Sequence, residues 1–260
     1  MGDPAVTIVV PSYNYAAYLP QRIDSIVRQT FQDFEVLFLD DASTDDSVRV
    51  ITERLDPVRM RLEVRATNSG NPFVQWNRGA ALARGRYLWF AEADDWADAH
   101  FLERLVAVLE GHPTVGLVHC PFRRVDAAGT VEDLSAVWWR DLHTTRWTQD
   151  FIAPGRDEVA FLARWNVIAN ASGVLLRRSV FAQVGGANER LRLAADWELW
   201  VKMLLASDVG FVAAPLNYWR WHERTQRARV EQDGQTAAEN RQVLHGIAQA
   251  LGQAPAAVEA

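Results

Sequence analysis

Residues 6–11, VTIVVP, and residues 35–41, EVLFLDD, flank a segment, 19–30, in which Ile23, Ile26 and Val27 share one helical face. Two short apolar runs separated by a helix-period segment predict a strand–helix–strand unit whose parallel strands are buried on both faces. The pattern continues outward. Ser43, Thr44 and Asp45 make a capping sequence before a helix over 48–55, and 61–67 alternates like a strand nearer a sheet edge. Pro72 stands where an N1 proline starts a helix running to Arg84, with Gly85 as its C-terminal stop. Residues 87–91, YLWFA, read as a fourth buried strand, 98–110 as an amphipathic helix and 115–118 as a further strand. The fold class is therefore α/β, a mainly parallel sheet flanked by helices. In such sheets ligands bind outside the carboxyl ends of the strands. That rule brings Tyr13 and Asn14, Asp40 and Asp41, and Glu92, Asp94 and Asp95 to one rim.

The second half is less regular. Asp126–Gly129 is a turn signal, and 131–148 reads as an irregular insert carrying Trp138, Trp139 and Trp147. A strand over 170–178, a short helix over 179–184, an amphipathic helix over 196–207, a strand over 209–213 and a helix over 235–251 complete the reading. Residues 253–260 read as a frayed tail. No repeat, low-complexity run or long linker divides the 260 residues, so one compact domain with appended helices is expected.

Composition removes several function classes. A formal net charge of −6 excludes the basic field of a dedicated DNA or RNA binder. One cysteine, Cys120, excludes an internal disulfide and a multi-cysteine metal site, as expected of a reducing, cytoplasmic compartment. No apolar stretch is long enough to cross a bilayer and the amino terminus does not read as a secretory signal, which leaves peripheral contact as the form any membrane association would take.

Glu92-Ala93-Asp94-Asp95 places three carboxylates just past a buried strand. They repel one another, and a hard cation such as Mg²⁺ or Mn²⁺ would relieve that repulsion while sharing its shell with phosphates. Glu92 and Asp94 point to the same side only if the backbone stays extended, and Asp94 or Asp95 equally suits a helix cap. Asp40-Asp41 reads either as the start of a turn or as an acid facing a nucleoside. Pro11-Ser12-Tyr13-Asn14 lacks the glycine pattern of a dinucleotide fold and the Gly-Lys-Ser/Thr of a phosphate loop.

Taken together, three blocks resemble the family-two glycosyltransferases of the GT-A fold: residues 6–47, residues 76–96 (WNRGAALARGRYLWFAEADDW), and residues 184–204 with YWRWH at 218–222. The resemblance implies an inverting enzyme that moves a sugar from a nucleotide-sugar, UDP-sugars foremost, to a hydroxyl of a glycan, lipid-linked or small-molecule acceptor. It implies a nucleotide-binding half over about 1–125, an acceptor-binding half over about 126–224, and a loop, helix and tail over 225–260. It makes Pro11, Ser12, Tyr13, Asn14, Asp41 and Asn77 nucleotide-binding residues, with Glu92, Ala93 and Asp94 standing at the Asp-x-Asp motif. Glu92 departs from the family's usual aspartate. The implied metal, Mn²⁺ or Mg²⁺, falls to Asp94 and His222; Asp95, Trp96 and Arg220 are candidates for the diphosphate or acceptor. Asp196 takes the position of the general base, though Ala195 stands where many relatives have a second acid, and Asp196 also suits a helix N-cap. Two other classes answer to parts of this pattern. A non-catalytic carbohydrate-binding protein would account for the 11 tryptophans but would not need three acidic strand ends, and an inactive paralogue would account for Glu92 and for the single acid at Asp196. A sugar nucleotidyltransferase would need a triphosphate loop that is absent here. Trp96, Trp138 and Trp139 are the tryptophans expected at an acceptor site, whereas Trp89 and Trp200 are expected in the core.

Overall fold

The computed structural model describes residues 2–126, 129–133, 138–142, 144–222 and 235–252. An eight-stranded sheet forms its centre, in the order β3-β2-β1-β4-β10-β6-β11-β9. The first four strands are β1 (Val6–Ser12), β2 (Phe34–Asp40), β3 (Met60–Val64) and β4 (Tyr87–Phe90), all parallel, and β1, β2 and β4 are buried at every position. Helices α1 (Leu19–Val27), α2 (Ser47–Thr52) and α3 (Pro72–Leu82) connect them as the apolar periodicity predicts. The sheet is completed by β6 (Val115–His119), β9 (Phe151–Ala153), β10 (Val174–Arg177) and β11 (Asp208–Phe211). Strand β11 runs parallel to β6, whereas β10 lies antiparallel between β4 and β6 and β9 pairs antiparallel with β11.

A second, four-stranded sheet, β5-β12-β7-β8, stands beside the carboxyl end of β4. It comprises β5 (Trp96–Ala97), β7 (Phe122–Val125), β8 (Val131–Glu132) and β12 (Asn217–Arg220), and the sequence reading did not foresee it. The remaining helices are α4 (Phe101–Gly111), α5 (Gly155–Leu162), α6 (Arg178–Gln183), α7 (Ala195–Ala206) and α8 (Gln235–Leu251). Helix α7 is not amphipathic as expected: Ala195, Trp197, Leu199, Trp200, Val201, Met203 and Leu204 are all buried, because α5, α8 and the sheet enclose it. Val243 and Ile247 of α8 are buried in the same core. Trp89 and Trp200 are fully buried, and Cys120 is a buried free thiol.

Three local expectations change. The predicted strand over 170–178 is a single helical turn over Ala171–Gly173 followed by the shorter β10, because the Asn170 side chain accepts from the Ser172 N–H and bends the chain. Gly85 is not a left-handed helix stop. Its reason is close approach: a Cβ there would stand 2.5 Å from the backbone nitrogen of Thr7. Neither Asp94 nor Asp95 caps a helix, since α4 starts only at Phe101 with His100 at its N-cap.

At the amino ends of the strands, opposite the ligand rim, Glu35 is a buried carboxylate in register with Thr7. It accepts from the Thr7 hydroxyl at 2.9 Å and from the backbone N–H and Nε of Arg84 at 2.9 and 2.8 Å. Burial alone would raise its pKa, but the Arg84 and Thr7 donors outweigh burial and hold it below the usual value. A depressed folded-state pKa means stability that is present above the unfolded pKa and lost as pH falls through the folded one. Glu35→Gln is therefore expected to lower unfolding free energy by about 1–3 kcal/mol at pH 7. The difference from the unaltered chain should narrow below about pH 4 in urea melts; a deficit independent of pH would contradict the ion-pair account.

Candidate active site

The loops after β1, β2 and β3 are tied into one wall. Asn14 adopts a left-handed φ of 60°, which lets its Oδ1 accept from the N–H groups of Thr44 and Asp45 while its own N–H donates to Ser43 Oγ. Tyr15 N–H donates to Ser47 Oγ and Ala16 N–H to Asp45 Oδ2, closing the same seam. Ala42 also has a positive φ, 64°, at the tip that follows Asp41. Non-glycine residues in this conformation cluster where function fixes the backbone. Asp41 is buried and joins β2 to the next loop, accepting from Ser69 N–H and Oγ and from Gln75 Nε2. Ser12 Oγ and Asp40 Oδ2, in register with each other, are buried without a hydrogen-bond partner among the described residues. Pro11, Ser12, Tyr13 and Asn14 thus stand beside Asp40 and Asp41 on the rim, as the strand-end rule requires.

Beyond β4 the chain turns instead of staying extended, with Asp95 N–H donating to the Glu92 carbonyl. The three carboxylates consequently fan apart. Glu92 accepts from Trp76 Nε1 at 2.9 Å, Asp94 Oδ2 meets His222 Nε2 at 3.0 Å, and Asp95 accepts from Asn170 Nδ2 and the Arg220 N–H. Ala93 is buried between them. Beneath lies Arg22 of α1, fully buried, donating through Nε to the Glu92 carbonyl and through Nη2 to Ser172 Oγ. Burial lowers its pKa to about 10 even though Asp95, Asp94 and Glu92 all favour its charge. Burial, reinforced by Asp94, raises Glu92 to about 8 and Asp95 to about 6. Arg22 thus faces the two carboxylates Asp94 and Asp95, while burial favours the protonated form of Glu92 near neutral pH. Arg22 escaped the sequence reading, although its position three residues after Leu19 and four before Ile26 puts it on the buried face of α1.

Arg220 is held on all sides. Its Nε donates to the Asp94 carbonyl and Nη2 to Gln21, and its guanidinium lies over Tyr18 and Trp96. Trp96 stacks on Tyr218 at 5.0 Å, and His222 stacks on Tyr18 at 4.8 Å. Arg224, Arg227 and Arg229, which extend a basic run past His222 in the sequence, lie outside the described residues.

Asp196 sits inside the first turn of α7, whose N-cap is Ala194, and its Oδ1 accepts from the Trp197 N–H at 2.6 Å. It lines a cavity of about 270 Å³ with Trp138, Trp165, Trp197, Asn166 and Thr236. Trp165 is 49% exposed. Asn166 Oδ1 and Thr236 Oγ1 are buried in the wall without a hydrogen-bond partner among the described residues. Ala169 lines the same cavity, one residue before the Asn170 that bonds Asp95. Of the three tryptophans expected at an acceptor site only Trp138 lines this cavity; Trp139 is buried with its Nε1 on the Val167 carbonyl. Trp165 and Trp197 were not foreseen, because nothing local marks residues 165 and 197 as neighbours.

Asn77 is placed on α3, where its Nδ2 donates to the Ala187 carbonyl and Glu189 Oε1 and its Oδ1 accepts from the Ala187 N–H. It tethers the segment leading to α7. The adjoining Gly186, φ 73°, leaves the space this needs, since a Cβ there would stand 2.6 Å from Asn77 Oδ1.

Residues 7–185 match the family described as Glycosyl transferase family 2. The chain belongs to that family. It is a glycosyl-transfer enzyme, and the matched residues hold the rim and the Glu92–Asp95 turn but end before Asp196, Arg220 and His222. A relative is the PGL/p-HBAD biosynthesis glycosyltransferase of Mycobacterium tuberculosis, 30% identical over 78% of this chain and 70% of its own. An uncharacterized glycosyltransferase of Haemophilus influenzae is 26% identical over 88% of this chain and 71% of its own. Among solved structures, residues 1–349 of S. aureus TarS in complex with UDP-GlcNAc superimpose with a TM-score of 0.74 at 18% identity, over 96% of this chain and 66% of that one. This chain therefore spans slightly less than two thirds of that fragment. A mannosyltransferase from Pyrobaculum calidifontis, in complex with GDP-Man and Mn2+, gives 0.65 at 19% identity, over 98% and 74%. These likenesses establish the GT-A fold.

The balance at the turn makes one expectation of this family member quantitative. Removing the one buried Arg or Lys among the described residues, Arg22→Met, should lower the unfolding free energy by about 3–5 kcal/mol at pH 7, as for other broken buried ion pairs. Adding Asp95→Asn, which removes the carboxylate that most favours the Arg22 charge, should restore part of it; equal stability of the single and double variants in chemical denaturation would contradict the shared-charge reading.

Proposed function

We propose that the enzyme transfers a sugar from a nucleoside-diphosphate donor, a UDP-sugar foremost, to a hydroxyl of a carbohydrate or lipid-linked acceptor, with inversion at the anomeric carbon. The observation that carries this reading is the position of Asp196. It lines an aromatic cavity whose wall, at Ala169, is one residue from the side chain that holds Asp95. A carboxylate on the acceptor side and a phosphate-facing acidic turn on the donor side are the two parts an in-line displacement requires.

The donor nucleoside lies along the wall made by Pro11–Asn14, Asp40 and Asp41, with the unpartnered Ser12 Oγ and Asp40 Oδ2 beneath it. Support for UDP comes from the TarS complexes with UDP-GlcNAc and UDP. The side chains present fit a divalent ion, Mn²⁺ or Mg²⁺. Asp94 and His222 bring one carboxylate oxygen and one imidazole nitrogen together, and the turn carries negative charge that Arg22 does not balance. An ion held by these two protein ligands would complete its shell with water and phosphate oxygens. Bound there, it would offset the charge that develops on the departing diphosphate. Asp94 and His222 are thus assigned to that ion, and Arg220 and Asp95 to holding the turn that presents Asp94.

Asp196 accepts the proton of the acceptor hydroxyl as that oxygen bonds to the anomeric carbon and the bond to phosphate breaks. A single displacement from the face opposite the leaving group inverts the centre. Trp138 and Trp165 offer flat faces to the acceptor's sugar ring, with the polar side chains of Asn166 and Asn240 in the same lining available to its hydroxyls.

The isosteric change Asp196→Asn tests the base. It should leave donor binding intact and slow transfer at least about a hundredfold, the range of general-base contributions. Turnover within a few-fold of the unaltered enzyme would remove Asp196 from that role.

A further inference from the structure

Three successive backbone amides just before α7 converge on one carboxylate from the far end of the chain. Arg192 N–H donates to Glu239 Oε1 at 2.8 Å, and Leu193 and Ala194 N–H donate to Oε2 at 2.8 and 2.9 Å. Ala194 is the N-cap of α7, so Glu239 meets donors at a helix end where no side chain of the segment itself supplies a cap. Bonds from amides to an ionised acceptor are stronger than neutral ones, and the negative charge also complements the positive end of the helix. The same segment is fixed from the opposite side. Asn71 Nδ2 donates to the carbonyls of Glu189 and Leu191, and Asn77 bonds Ala187. The chain from Ala187 to Ala194 is thus slung between α3, on the donor side, and α8.

Helix α8 divides its faces between these tasks. Glu239, Val243 and Ile247, four residues apart, form the stripe turned to the core, with Val243 and Ile247 buried. Thr236, Asn240 and Leu244, also four apart, line the cavity that contains Asp196. The clamp and the cavity wall therefore belong to one rigid element.

We infer that Glu239 is a positioning residue for transfer: through the amides of residues 192–194 it fixes the start of α7, and hence Asp196, against the cavity wall supplied by α8. The inference rests on the reading of Asp196 as the base. Asp196 is two residues beyond the last clamped amide, so release of the clamp displaces the carboxylate without touching the donor site. Displacements of about 1 Å at a reacting group cost up to about a hundredfold in rate.

The test uses the full chain with Glu239→Ala, Glu239→Gln and Asp196→Asn. Nucleotide release with water as acceptor is followed for UDP-glucose, UDP-galactose, UDP-N-acetylglucosamine and GDP-mannose in the presence of Mn²⁺, scored on the fastest donor. Amide hydrogen exchange is measured in parallel. Glu239→Ala should accelerate exchange at residues 192–194 while leaving β1 and β4 protected, and should lower kcat at least about tenfold with donor KM within about twofold. Glu239→Gln retains an acceptor oxygen and should recover part of the rate. In the Asp196→Asn background Glu239→Ala should add little further loss, because both changes remove the same function. A kcat within about twofold of the unaltered chain, unchanged exchange at 192–194, or a full multiplicative loss on top of Asp196→Asn would overturn the inference. Near-normal turnover of Asp196→Asn alone would instead strike the base assignment, and the exchange data would still decide the clamp.

Discussion

Arg22 and the three carboxylates around it set the conditions for the rest of the site. An unpaired guanidinium in the interior would cost several kcal/mol, and so would unpaired carboxylates. Each makes the other tolerable. Arg22 lies under the turn, bonded to the Glu92 carbonyl and Ser172, so the turn after β4 is fixed from below by α1 and from the side by Asn170 and Arg220. Burial first, and then the Asp94 charge, raise the pKa values of Glu92 and Asp95, and Asp94 and Asp95 together outnumber the one buried cation among the described residues. A site built this way favours a further positive charge arriving with a polyanionic ligand. A nucleoside diphosphate with its counter-ion meets that description.

The second sheet and the Arg220–His222 segment complete the same logic. Strand β12 pairs with β5, which directly follows the acidic turn, so the late segment reaches Asp94 and Asp95 by ladder register and not by a flexible excursion. Arg220 is packed between Tyr18 and Trp96 and bonded to Gln21, which joins α1, the turn and β12. His222 stacks on Tyr18 with its Nε2 directed at Asp94. One half of the site, the rim, is therefore assembled from β-strand ends, whereas the other, the cavity at Asp196, is lined by residues of α7 and α8 with Trp138 and Trp165. Asn71 and Asn77 link the two halves through the chain between residues 187 and 191.

Those two halves differed in how far the sequence disclosed them. The parallel strands were legible because burial on both faces demands unbroken apolar runs, and the acidic ends of β2 and β4 stood out against them. Arg22 was not legible because a single charge on the apolar face of α1 does not name its partners, which lie 70 and 150 residues away. Strands β7 and β12 read FRRV and NYWR; their arginines lie over aromatic rings, Arg123 on Tyr218 and Arg220 on Trp96, so period-two alternation never appears. Helix α5 was hidden by Arg156, Asp157 and Glu158, yet Glu158 is fully buried because Arg146 and Trp147 donate to it. The cavity at Asp196 gathers residues between 138 and 244, and no local periodicity reports such a meeting. Asp196 itself was found only through the family resemblance, since its local signal is equally that of a residue in a first helical turn.

The central claim is that the rim of the sheet holds a nucleoside diphosphate together with a divalent ion. Thermal unfolding of the full chain with UDP-, dTDP-, GDP- and CMP-sugars, each with and without Mn²⁺, tests it directly. A ligand at a hundred times its dissociation constant stabilises the native state by about 2.7 kcal/mol, a readily measured shift. The account predicts such a shift for one nucleotide class, UDP foremost, and its loss when Mn²⁺ is withheld. An unchanged melting temperature with every donor, or a shift indifferent to the metal, would contradict it.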